Sequence, residues 1–135
     1  MSKATVKWIG GEEYVATLPS GHAVPFDGTH AAAASPMEML LGALGACTSV
    51  DVVMILEKKR QKLATLEVEI TGERAKDPPQ VWTKLDMVYR LSGQLDEKAV
   101  RDAIDLSQNK YCSVAAMLRK TAAITYRFEI LPARS

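Results

Sequence analysis

One stretch decides the fold: SPMEMLLGALGAC, residues 35–47. It combines a helix start with the beginning of a long apolar run. Ser35 suits the N-cap, Pro36 suits the first helical position, and Glu38 stands at the third, close to a capping box. The pattern predicts a helix that begins after Ser35 and runs to about Lys62.

The first part of this helix, Met37 to Val53, is apolar or small on nearly every side, which predicts burial all round. Several residues within it have almost no side-chain volume and would let another backbone approach closely: Gly42, Ala43, Gly45 and Ala46. A single sheet gives such a helix too little cover. We therefore expect a homodimer in which two copies of the helix share a core.

Strand-like runs lie on both sides of the helix. Three short runs precede it and predict an antiparallel meander, at residues 4–9, 14–18 and 22–26. Two alternating runs follow, at residues 66–70 and 81–91. Two further helices and a last strand complete the chain, at residues 96–107, 110–120 and 123–131. This order predicts an α+β fold in a single domain over residues 1–135.

The composition argues against several classes of function. The formal net charge is +1 and aromatic residues make up 6% of the chain, so neither a basic field nor a stacking surface points to nucleic acid. The apolar run from Met39 to Leu56 is long enough to suggest a membrane span, but it contains Asp51, and a charge at mid-span costs about 2.5–3.5 kcal/mol. Two cysteines fit a reducing compartment. We expect no nucleic-acid partner, no membrane insertion and a cytoplasmic location.

The candidate reactive groups are two cysteines, Cys47 in the long helix and Cys112 near the start of the last helix. They are 65 positions apart, so only the fold can bring them together. A free cysteine often packs as a small hydrophobic residue, and that alternative stays open for both. A place in the first turn of a helix would favour a thiolate at Cys112. Asp51, one turn after Cys47, would raise the pKa of a nearby thiol unless a cation pairs with it.

Other kinds of site have weak support. His22 and His30 do not combine with the cysteines in any zinc-ligand spacing. Ser49 and Ser113 have no recognisable His/Asp partners for acyl transfer, and the sequence has no glycine loop of a phosphate-binding type. We therefore expect neither a metal nor a cofactor.

The stretch SPMEMLLGALGAC, followed by KYCS at residues 110–113, resembles the paired motifs of the OsmC/Ohr family, the osmotically inducible and organic hydroperoxide resistance proteins. The resemblance covers essentially the whole chain and is closest to the YhfA-like branch. It implies an OsmC-like fold with antiparallel sheets around long central helices, in an intertwined homodimer with two sites at the subunit interface.

The same resemblance implies a thiol-dependent peroxide reductase. Cys47 would attack an organic hydroperoxide and become a sulfenic acid, and Cys112 would condense with it to a disulfide. An external dithiol would then reduce that disulfide.

The chain departs from the family pattern around the first cysteine. The family glutamate directly follows the motif proline, where this chain has Met37; the acid comes one residue later, at Glu38, about 100° further round the helix. We take Glu38 as an auxiliary catalytic residue. The family arginine lies in the N-terminal strand region, whereas the first arginine here is Arg60. These departures keep an alternative open, a non-catalytic dimer that binds a small molecule or senses redox state.

Overall fold

The computed structural model describes residues 1–132 and confirms the α+β class. Its contacts divide the chain into two compact units, Met1–Gly42 and a second that begins at Ala43. Each unit is built on one three-stranded sheet. A single domain over the full length stays a prediction.

The first unit contains the predicted antiparallel meander. Strands β1 (Thr5–Gly10), β2 (Glu13–Thr17) and β3 (Ala23–Asp27) lie in the order β1-β2-β3, and both pairings are antiparallel. Gly10 and Gly11 both adopt positive φ in the turn between the first two strands, a conformation that glycine reaches without a steric cost.

Helix α1 (Pro36–Lys58) begins where the sequence predicts and ends earlier. Arg60 takes a φ of 58°, and two backbone bonds close the helix end, from Arg60 N to Glu57 O at 3.0 Å and from Gln61 N to Leu56 O at 2.9 Å. This is a Schellman motif, which satisfies the last carbonyls and stops the helix. The predicted end at Lys62 is therefore wrong, because the chain reverses at Arg60.

Helix α1 buries one stripe rather than its whole circumference. Four residues at a spacing of four are buried: Leu44, Thr48, Val52 and Leu56. On the opposite face Val50 and Met54 are 57% and 50% exposed. The prediction of burial all round is thus wrong for one chain, because one sheet covers only one side of a helix. By length and composition alone the helix could cross a membrane, a test that core helices of soluble proteins also pass.

The second unit is built on strands β4 (Lys62–Arg74), β5 (Trp82–Gln94) and β6 (Ala123–Ile130), with β5 in the middle. The pairing of β4 with β5 is antiparallel, whereas β5 and β6 are parallel. The second sheet is therefore mixed rather than wholly antiparallel, since β6 enters it after an intervening helical segment and not through a hairpin.

Alternate residues of β5 point into the core and line one side of it. Leu85, Met87, Tyr89 and Leu91 are all 1% exposed or less, as expected when successive side chains point to opposite faces of a sheet. Opposite them, Gly45 of α1 lies against β4, and a Cβ added to it would stand 3.2 Å from Ile70 Cδ1. The absence of a side chain at Gly45 thus leaves room for the Ile70 side chain of β4.

Helix α2 (Glu97–Leu106) starts at Asp96, whose carboxylate accepts the Ala99 N–H at 3.2 Å. It continues into one wide turn of π-helix at Ser107–Tyr111, and α3 (Ser113–Leu118) follows after Cys112. The predicted regular helix at 110–120 is wrong, because the wide turn interrupts it and the chain is extended at Cys112, with φ −73° and ψ 102°.

Candidate functional site

The fold brings the two cysteines together. Cys47 lies on α1, half-buried beside the buried stripe, and Cys112 is 3% exposed at the junction between the π-turn and α3. The two side chains lie close enough for Cys47 to raise the pKa of Cys112, and both thiols are free. The fold thus places near each other two cysteines that are 65 positions apart in sequence.

Burial controls the acidity of Cys112. Burial is the largest of the causes, with smaller contributions from Cys47 and from the charge of Asp51, that together raise the pKa of the thiol to about 11. The opposing contribution is the Ala115 N–H, which lies 3.4 Å from Sγ. The expectation that the helix dipole favours a Cys112 thiolate is therefore wrong. Cys112 caps a helix of only six residues, and desolvation outweighs that cap.

Asp51 lies beside the thiols, one turn along α1 from Cys47, as the sequence predicts. Its Oδ2 accepts the Ser107 hydroxyl at 2.9 Å. The carboxylate raises the pKa of Cys112, in the direction expected of a nearby negative charge. Asp51 thus accepts a hydrogen bond from Ser107 of the π-turn and also raises the pKa of the buried Cys112 thiol.

Ser107 is the first residue of the π-turn and contacts the elements of both cysteines. Its Oγ lies 2.7 Å from Thr48 Oγ1, next in sequence to Cys47, and 2.9 Å from Asp51 Oδ2. Its carbonyl accepts the Cys112 N–H at 2.8 Å, which closes the wide turn. Ser107 and Thr48 are both 0% exposed.

Beneath the thiols, five hydrogen bonds join a chain of six residues that spans three elements and a turn: Arg119, Gln108, Tyr89, Thr48, Ser107 and Asp51. The chemistry of its two ends fixes its direction. The Arg119 guanidinium can only donate and the Asp51 carboxylate can only accept, so every hydroxyl between them donates towards Asp51. Hydrogen bonds aligned in this way polarise and strengthen one another in a buried setting.

Tyr89 is the buried phenol within this hydrogen-bond chain. Its hydroxyl lies 2.7 Å from Thr48 Oγ1 and receives the Gln108 amide at 2.6 Å. Burial raises the pKa of Tyr89, so at neutral pH it carries a proton to donate. The sequence contained a usable signal, since the alternation that places Met87 inward also places Tyr89 inward, and a buried hydroxyl needs a partner. Ser107 and Gln108 gave no such signal.

Glu38 belongs to the first unit and has a different setting. Its Oε2 accepts the Ser35 N–H at 2.8 Å and the Ser35 hydroxyl at 2.7 Å. These bonds, the backbone one first, hold the pKa of the Glu38 carboxyl below its usual range. The carboxylate therefore serves as the predicted helix cap, and its auxiliary role in catalysis stays a prediction.

A groove of about 380 Å³ adjoins the site on the side of Asp51 and Tyr111. Its other walls combine apolar side chains with two lysines: Met54, Ile55, Lys58, Lys59 and Leu106. Within residues 1–132, no three His, Cys, Asp or Glu side chains are grouped so that they could hold a metal ion.

The fold and the thiol pair define a small α+β dithiol protein, and comparison with known proteins gives its family. A family model described as OsmC-like protein matches residues 28–127. Protein YhfA of Escherichia coli K12 is 42% identical over 133 residues, which are 97% of this chain and 99% of that protein. The chain therefore belongs to the OsmC-like family, and the predicted resemblance to YhfA is confirmed.

Solved structures share the fold. A hypothetical protein from Aquifex aeolicus VF5 superposes with a TM-score of 0.89 at 27% identity, over 97% of this chain and 96% of that one. The organic hydroperoxide resistance protein OhrB of Bacillus subtilis superposes with a TM-score of 0.68 at 14% identity, over 96% and 98% of the two chains. The second similarity is one of fold.

Proposed function

We propose that this chain is a thiol-dependent reductase of organic hydroperoxides, with Cys47 as the attacking thiol and Cys112 as the resolving thiol. The Cys47 thiolate attacks the terminal peroxide oxygen, the O–O bond breaks, and the alcohol leaves after taking up a proton. Cys47 is then a sulfenic acid, oxidised by two electrons. The Cys112 thiolate attacks its sulfur, hydroxide leaves and becomes water, and a disulfide forms. An external dithiol, of the kind found in the cytoplasm, returns both thiols.

The proximity of the two cysteines is the observation that carries this proposal, because Cys47 lies close enough to raise the pKa of the Cys112 thiol. Two thiols that lie near each other need little movement to form a disulfide, which supports the second step. The half-buried Cys47 is also the more accessible of the two.

Single-cysteine variants test the assignment. Consumption of cumene hydroperoxide with dithiothreitol should fall to the background rate in Cys47→Ser. In Cys112→Ser, one equivalent of peroxide should be consumed rapidly and a sulfenic acid, trapped by dimedone, should accumulate on Cys47. Equal rates in wild type and Cys47→Ser would contradict the proposal, and a sulfenic acid on Cys112 would reverse the roles.

Glu38 is tested in the same assay. We expect Glu38→Gln to keep the cap, because glutamine can also accept the Ser35 N–H, and to remove the charge. A slower peroxide reaction at unchanged thermal stability would support the auxiliary role. An unchanged rate would leave Glu38 as a helix cap alone.

A second candidate is a dimer that binds a small apolar molecule without turnover. The groove favours it, because Met54, Ile55 and Leu106 line an apolar space that Asp51 of the site also borders. This function would leave wild type and Cys47→Ser equally slow with peroxide. Both candidates use the homodimer that the family resemblance implies.

A further inference from the structure

We propose that Ser107 is the positioning residue for disulfide formation, because it holds the helix of Cys47 and the backbone of Cys112 at one point. This inference rests on the proposed function and names a residue of the same site. The observation behind it is that one buried serine bonds to both sides of the thiol pair.

The two sides are joined through different parts of Ser107. The side chain binds α1, where Thr48 Oγ1 is 2.7 Å away and Asp51 Oδ2 is 2.9 Å away, and these residues lie one and four positions after Cys47. The backbone carbonyl binds the Cys112 N–H at 2.8 Å. A serine hydroxyl has one hydrogen, and the acceptor-only carboxylate of Asp51 takes it, so Thr48 must donate to Ser107.

The setting leaves Ser107 little freedom. Its side chain is fully buried, and the other acceptor within reach of its hydroxyl, the Thr48 carbonyl, is at 3.5 Å, so a rotation away from Asp51 exchanges a charge-assisted bond for a longer and weaker one. The hydrogen-bond chain that starts at Arg119 passes through Ser107 to Asp51, so the direction of the serine's own hydrogen bond is fixed as well. The serine therefore sets the distance between α1 and the π-turn.

Positioning matters most in the second chemical step. There the Cys112 sulfur forms a bond to the sulfenic sulfur of Cys47 while the S–O bond breaks and hydroxide leaves. A fixed approach of the two sulfurs raises their effective molarity, and a loose one lowers it. The first step, attack of Cys47 on the hydroperoxide, does not involve Cys112. Loss of the Ser107 hydroxyl should therefore slow disulfide formation and spare peroxide attack.

A thiol–disulfide equilibrium measures this effect without peroxide. Protein dithiol plus oxidised glutathione gives protein disulfide plus two molecules of reduced glutathione, and the equilibrium constant contains the effective molarity of the pair. We expect Ser107→Ala to lower this constant about tenfold. In single turnover with cumene hydroperoxide, disulfide formation should slow to a similar extent and dimedone-trapped sulfenic acid should increase. Ser113→Ala, an exposed serine next to Cys112, is the matched control and should behave as wild type.

The two readouts separate the inference from the function on which it rests. If peroxide fails to oxidise Cys47, the proposed function fails, yet the glutathione equilibrium still reports on Ser107. A constant for Ser107→Ala within twofold of wild type would overturn the positioning role, whatever the change in thermal stability. If Ser107→Ala does not fold, Thr48→Val, which keeps the volume and removes one of the bonds to Ser107, replaces it. That variant should shift the constant in the same direction, and no shift would again overturn the inference.

Discussion

At the scale of the residue, the notable quantity is the pKa of Cys112. At about 11 it leaves the thiol protonated throughout the neutral range. Cys112 is thus a poor nucleophile in the reduced protein, which suits a thiol that should wait until Cys47 has been oxidised. Part of the increase in pKa comes from Cys47 itself, so the acidity of one thiol depends on the state of the other.

The contribution of Asp51 can be measured with the background variant Cys47→Ser, in which Cys112 is the remaining thiol. Asp51→Asn removes a negative charge that disfavours the thiolate, so the pKa of Cys112 should fall. Below that pKa the thiolate fraction and the rate of alkylation by iodoacetamide should rise roughly threefold to tenfold. The asparagine keeps an oxygen for the Ser107 hydroxyl. Asp102→Asn, whose partner is Lys98, serves as control and should leave the alkylation profile unchanged.

The sequence predicted the candidate reactive residues but not what surrounds them. Cys47, Cys112 and Asp51 were predicted because their chemistry and local spacing are unusual. Thr48 and Ser107 were not, since the bond between their hydroxyls joins positions 59 apart and arises only from packing. The acidity of Cys112 was predicted in the wrong direction for the same reason: burial is a property of the fold, and it outweighed the local helix position.

At the scale of the element, helix α1 shows which boundaries local chemistry determines. Its start was predicted correctly because the Glu38 carboxylate accepts both the Ser35 N–H and the Ser35 hydroxyl at the first turn. Its end was predicted too late because the residue that terminates it, Arg60, is not the glycine that usually occupies a left-handed position.

That strained position predicts a stabilising substitution. Arg60→Gly should raise the free energy of unfolding by about 1 kcal/mol, because a side chain in the left-handed region costs about that much and glycine avoids the cost. Lys58→Gly, inside the same exposed turn of the helix, should lower it by about 1 kcal/mol. Urea denaturation of the three proteins measures both changes. A destabilised Arg60→Gly would mean that the Arg60 side chain has stabilising contacts that outweigh the strain.

At the scale of the whole molecule, the exposed stripe of α1 is the surface on which we expect a second subunit to pack. Ala46, Val50 and Met54 follow one another at a spacing of four on the face opposite the buried stripe, so an apolar strip lies open along the helix. An apolar strip of this kind is typical of a surface that binds another protein. A second copy of α1 is the partner that the family resemblance implies.

A charge on this strip should therefore prevent self-association. We expect wild type to elute as a dimer in size-exclusion chromatography with light scattering, and Met54→Lys to shift towards the monomer, because a buried unpaired ammonium is costly. Met117→Lys changes an equally apolar and more exposed side chain, 73% exposed, on α3 and should remain dimeric. A dimeric Met54→Lys would contradict the use of this strip, and a monomeric wild type would contradict the dimer itself.

The wide turn at Ser107–Tyr111 also determines the direction in which the Cys112 side chain points. Each residue advances an α-helix by about 100°, so one residue fewer between Ser107 and Cys112 would turn the thiol away from α1 by roughly that angle. With the five-residue spacing, the carbonyl of Ser107 meets the N–H of Cys112 while its hydroxyl still faces Thr48. The approach of the two sulfurs thus depends on the number of residues in the turn as well as on their types. A relative that keeps both cysteines but lacks one residue of this turn would carry two separate thiols instead of a pair.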